Sequence, residues 1–172
     1  MNMKLIKLFA LISIMLASSC EGKISPENAL EHINNLPEYQ TAFFAPINIG
    51  KVVITSDNNS KADDELYKKY QKLIDAGMVE VKKDSENVWR SAFNVVLTDK
   101  AKNMCDTRRS NDEIAYMPVC VMKPMKLISA LENTDSTLLC QFVIAQKDIT
   151  VFGEYLGFEP DVEHQMSYTF KK

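Results

Sequence analysis

Residues 66–104 read LYKKYQKLIDAGMVEVKKDSENVWRSAFNVVLTDKAKNM, and they decide the fold class. Leu66, Tyr70, Leu73 and Ile74 recur at helical spacing, so one face of a helix is apolar. Ser60 with Asp63 three residues on has the form of a capping box. Asp63, Asp64 and Glu65 crowd the first turn, and Lys68, Lys69 and Lys72 follow, as the helix dipole favours. Gly77 is a left-handed stop. A strand over 78–82, a charged turn over 83–87 and a return strand over 88–97 come next. Phe93, Val95 and Leu97 alternate with Asn94 and Val96, which buries one face of that strand. Thr98 caps a short helix over 99–104. Helix, hairpin and helix in close succession predict an α+β fold.

Upstream, Ser25-Pro26 starts a helix whose apolar face is Ala29, Leu30, Ile33 and Leu36, and Pro37 ends it. His32 lies beside that stripe and reads as a solvated side chain. Residues 39–50, YQTAFFAPINIG, read as an extended segment across the core. Phe43 and Phe44 are expected to pack there, the functional alternative being an exposed docking patch. Residues 51–55 form a β-branched strand.

Downstream, DTRRSNDE over 106–113 is a polar linker, with Arg108 and Arg109 in solvent. Residues 114–122 are an apolar strand whose Pro118 demands a free edge. Residues 125–132 and 137–147 flank Asn133-Thr134-Asp135-Ser136, which is hairpin chemistry, although a helix over 125–132 is the alternative. Residues 149–158 read as an apolar loop. Val162, His164, Met166, Tyr168 and Phe170 then alternate with polar residues, the clearest strand in the chain. His164 falls on its apolar face and is expected to be a satisfied structural side chain.

The stretch 66–104 resembles the end of a winged-helix domain, where a helix passes through L-x-x-x-G-h, with h an apolar residue, into a two-stranded wing closed by L-T-x-K. Leu73, Gly77, Met78, Leu97, Thr98 and Lys100 occupy those positions. The chain departs from the pattern in having one upstream helix and Ala101 where glycine is usual. The resemblance implies a winged-helix-like unit over 26–105, packed beside a C-terminal antiparallel sheet over 114–172. It also implies a nucleic-acid role carried by the long helix. The acidic start of that helix repels phosphate, so no nucleic-acid partner is expected.

Lys4 and Lys7 precede ten residues, Leu8 to Ala17, that are apolar except for Ser13. That is half the ~20 residues a spanning helix needs, so 1–19 read as a signal peptide. Leu16-Ala17-Ser18-Ser19-Cys20 resembles the bacterial lipoprotein box, with Ala17 where leucine is usual. The resemblance implies cleavage before Cys20, lipid on its sulfur, a tether over 20–25 and a place in the bacterial cell envelope, periplasmic or cell-surface. An ordinary signal cleaved after Ser19 is the competing reading.

Formal charge is −3, and it becomes −5 once Lys4 and Lys7 leave. Such a balance gives no basic face for nucleic acid. Outside the cytoplasm thiols can oxidise, and Cys105 and Cys120, flanking the polar linker, are the candidate disulfide, with Cys140 buried. No phosphate loop, paired CxxC or two-histidine helix is present, so neither cofactor nor metal is expected. The reading is a noncatalytic envelope lipoprotein, held to the membrane by its lipid, that binds a protein partner or ligand. A small exported hydrolase, gathering His164, a cysteine and a carboxylate, is the alternative; a winged-helix nucleic-acid binder ranks below both.

Overall fold

A computed structural model describes residues 24–55, 59–87, 90–133 and 136–171. The elements in order are α1 (Ala29–Asn34), α2 (Pro37–Gln40), β1 (Ala42–Asn48), β2 (Gly50–Thr55), α3 (Asn59–Asp75), β3 (Val79–Asn87), β4 (Arg90–Leu97), α4 (Asp99–Lys102), β5 (Ile114–Glu132), β6 (Thr137–Lys147), α5 (Val151–Tyr155) and β7 (Glu163–Lys171). The fold is α+β. One antiparallel sheet has strand order β2-β4-β3 and the other β1-β5-β6-β7. The second sheet holds the C-terminal strands and takes β1 from the N-terminal half.

The 66–104 stretch folds as helix, hairpin and helix. Leu66, Tyr70 and Leu73 are buried against Phe93, Val95 and Leu97 of β4. Gly77 takes φ +66°, which reverses the chain after α3 without a Cβ penalty. Thr98 then ties the unit together. Its hydroxyl donates to the Gly77 carbonyl at 2.8 Å and accepts from the Ala101 N–H at 3.4 Å. Lys100 Nζ reaches the Ala76 carbonyl at 3.1 Å, satisfying an orphan acceptor at the end of α3. The residues that carry the winged-helix resemblance thus meet in space.

Four segments differ from expectation. Residues 83–87 continue β3, with a bulge between Lys83 and Ser85, in place of a turn. β3 is an edge strand of its sheet, with β4 as its one strand neighbour there. Residues 149–158 contain α5, capped by the Thr150 hydroxyl, which accepts from the Gly153 N–H at 3.2 Å. The first helix begins at Ala29, because the Asn28 side chain holds the Ser25 N–H at 2.7 Å in a preceding turn. Residues 39–50 divide between α2, β1 and the start of β2. The expected Ser60 cap lies outside the described side chains, and residues 88–89 of the expected return strand lie outside the described residues.

Two apolar clusters form. The larger joins α3 and β4 to Ile47 of β1, to Ala115, Met117, Val119 and Cys120 of β5, and to Phe152 of α5. The smaller packs Ala29, Ile33 and Leu36 onto Leu138, Cys140, Phe142 and Ile144 of β6 and Tyr168 and Phe170 of β7. β5 serves both. Its first part pairs only with β1, and β6 joins from Val121 onward. Pro118 therefore sits where one side of β5 has no strand neighbour, as its missing N–H requires.

Candidate functional site

Cys20, the expected lipid site, lies outside the described residues. The structure places the other sequence-derived candidates separately. Phe43 is half-buried, packed on the larger cluster, with its ring 6.2 Å from Phe158. Phe44 faces the other way. Arg109, held by Asp106 at 2.6 Å, lies 5.3 Å from the Phe44 ring and 4.8 Å from Tyr116. The two phenylalanines make no common patch. Residues 149–158 are also turned inward, with Phe152 fully buried.

Cys105, Cys120 and Cys140 are free thiols. Cys105 Sγ lies 3.1 Å from Ser110 Oγ, in a loop pinned by the Tyr116 N–H to the same hydroxyl at 2.8 Å. Burial pushes the Cys120 thiol up to about 11 and raises Cys140 as well. A nucleophilic cysteine needs the opposite shift. His164 Nε2 is 2.9 Å from Gln146 Nε2 at the start of β7. His164 pairs with Ile144, which pairs with Pro124. Cys120 is thus two strands away and four residues along, roughly 15 Å by strand geometry. His164 and Cys120 are therefore not placed as a nucleophilic pair. An open recess of about 460 Å³ is lined by Asn34, Tyr39, Gln40, Val121, Lys123 and Asp148. Its charges, Lys123 and Asp148, stand 3.6 Å apart and offset each other. Among the described residues no cluster of three or more His, Cys, Asp or Glu side chains is placed to hold a metal ion.

No protein-family model, no curated protein and no solved structure matches the chain. The site must therefore be read from its own geometry.

The feature that sequence reasoning missed is on the distal part of β5. Two bulges interrupt the β5–β6 ladder, between Pro124 and Lys126 and between Leu127 and Ser129. Each inserts one residue, Met125 and Ile128, without a partner of its own. The ordinary period of two becomes three. Pro124, Leu127 and Ala130 oppose Ile144, Phe142 and Cys140 on the side that α1 covers. Met125, Ile128 and Leu131 remain 49%, 47% and 58% exposed. Half of the six large apolar side chains exposed among the described residues lie in this one run of β5. Leu131 pairs with half-buried Leu139, which extends the strip onto β6. The period of three was visible in the sequence, but it reads equally as a helix face.

Proposed function

We propose that this chain is a bacterial envelope lipoprotein, anchored by lipid on Cys20, that acts by binding a protein or ligand and not by catalysis. The observation that carries the reading is Leu16-Ala17-Ser18-Ser19-Cys20 directly after a basic lead and a short apolar run. The burial of Cys120 and Cys140 and the separation of His164 from Cys120 support a noncatalytic role. So does the acidic balance, which disfavours nucleic acid as the partner. Among the described residues no helix is long and apolar enough to cross a membrane, so membrane attachment through them would need another device.

Growth with labelled palmitate tests the anchor. Label is expected in the protein and is expected to vanish in Cys20→Ala, which should also stay unprocessed. Label that persists in Cys20→Ala, or never enters, ends the lipoprotein reading. Crosslinking in the native envelope tests binding. A discrete adduct is expected, and a protein that remains solitary there argues against a binding role.

A further inference from the structure

We propose that β7 is the interface of a homodimer, in which its open edge pairs antiparallel with β7 of a second copy across a two-fold axis at Ser167. The inference goes beyond the binding role and does not depend on lipid at Cys20.

β7 is the last strand of its sheet, and among the described residues β6 is the one strand paired with it. An edge strand keeps a row of N–H and C=O groups that a further strand can bond. Folded proteins blunt such rows with charge, proline, bulges or shortness. The other edges among the described residues are blunted in these ways. β3 carries Glu80, Lys82, Lys83 and Asp84 and a bulge. β1 carries Pro46 and a bulge. The length of β5 beyond its pairing with β1 carries Lys123, Pro124, Lys126 and two bulges. β2 is six residues long and holds Lys51. β7 has none of these devices along its middle. It is nine residues long, keeps one unbroken register with β6 and holds no proline. Between Glu163 and Lys171 it has no Lys, Arg, Asp or Glu.

The order of its side chains points to a copy of the same strand as the occupant. Ser167 is the middle residue of Glu163–Lys171, so a two-fold axis there uses the whole strand. It sets Glu163 opposite the partner's Lys171 and Lys171 opposite the partner's Glu163, an attractive pair at each end. A parallel, in-register copy would set like charge on like charge. On the exposed face Gln165 meets the partner's Thr169, and Ser167 meets the partner's Ser167. On the face toward the smaller cluster His164 meets the partner's Phe170, and half-buried Met166 meets the partner's Tyr168, a favourable neighbour for a thioether. Odd positions meet odd and even meet even, so the pleat runs on from one copy into the next.

A single strand pair is a small interface, so a covalent trap reads it best. The full chain carrying Cys105→Ser is the baseline, oxidised with diamide in an unfractionated lysate in mild detergent. Ser167→Cys in that background is expected to raise the disulfide dimer roughly tenfold, because directly opposed residues hold their Cβ atoms about 5 Å apart. Gln165→Cys alone is displaced from its own copy by four residues, about 13 Å, and should stay at baseline. Produced together with Thr169→Cys, it should give the band. Glu163→Lys sets like charges together at both ends and should lower the Ser167→Cys yield roughly fivefold. Adding Lys171→Glu should restore it. A baseline yield at 167 overturns the proposal. So does a Gln165→Cys band as strong as that at 167, which marks collision without register. An adduct of another mass at 167 assigns the edge to a strand of a different protein and also overturns the dimer. A charge reversal that the second substitution fails to rescue rejects the two-fold axis. Absence of lipid on Cys20 changes none of these readings, so the dimer and the anchor fail separately.

Discussion

Thr150 and Gly153 show how few atoms fix α5 to the sheet. The bulge between Phe43 and Phe44 leaves Val119 without a β1 partner, and its carbonyl accepts the Thr150 N–H at 2.9 Å. The Thr150 hydroxyl donates to the Pro118 carbonyl at 2.6 Å. A Cβ on residue 153 would lie 2.2 Å from the Val119 oxygen and 2.9 Å from Ile149 Cγ2. Gly153→Ala must push α5 off β5, and a loss of about 3 kcal/mol is expected from urea midpoints. Gly77→Ala is the contrast. Nothing lies within 4 Å of its Cβ, so only the positive φ is penalised, about 1 kcal/mol. A larger loss at 77 than at 153 would refute the contact argument. Ser91 offers a gain. It is fully buried, and its Oγ has no hydrogen-bond partner among the described residues. Ser91→Ala is expected to stabilise by about 1 kcal/mol in the same assay, because a desolvated hydroxyl is removed. A loss of stability would mean that the hydroxyl does make a bond.

The bulges of β5 are devices at the level of the element. Because Met125 is an inserted residue, its deletion leaves Pro124 opposite Ile144 and Lys126 opposite Val143. Every buried side chain keeps its face, so the deletion is expected to lower the melting temperature by only a few degrees. Deleting Gln141 from β6 is the opposite case. It turns Phe142 and Ile144 to the outer face, and no cooperative melt is expected. Circular dichroism melts of the two deletions decide the matter, and equal damage from both would reject the bulge register. The same geometry explains what the sequence revealed and what it hid. Residues 163–171 keep strict alternation because β7 has no bulge, and they were legible at once. Residues 125–132 read as a strand beside hairpin chemistry, with a helix as the alternative, and they do lie in β5; the two bulges were hidden, since a bulge is set by partner register and not by local propensity. α3 was legible from its stripe and charges, whereas α5 is one short turn created by contact with Val119. The exposed strip was hidden for the same reason, because exposure at Ile128 depends on which neighbour opposes it.

At the scale of the molecule the question is whether the two clusters melt together. β5 passes through both, so neither can lose its packing without freeing part of the strand that the other uses. A single unfolding transition is expected, coincident by near- and far-ultraviolet circular dichroism. Alkaline pH probes both clusters at once. Burial pushes the Cys120 thiol in the larger cluster up to about 11 from an ordinary value near 9.0. Burial, followed by the nearby Glu38 charge, pushes Tyr39 on the smaller cluster up to about 12 from near 10.0. Both groups are acids that the fold keeps protonated. Below the unfolded values neither state has ionised, and stability is intact. Above them the unfolded chain releases its protons first, so stability falls as pH rises through 9 to 11 for the thiol and 10 to 12 for the phenol. The thiol's share is of order 2 kcal/mol. Urea midpoints in reductant should therefore hold steady from pH 7 to 8.5 and drop above pH 9, as these two values require. Cys120→Ala should start lower at neutral pH, through its small cavity, and show a shallower fall between pH 9 and 11. If its profile runs parallel to that of the unsubstituted chain, the buried thiol is not what weakens the fold in alkali.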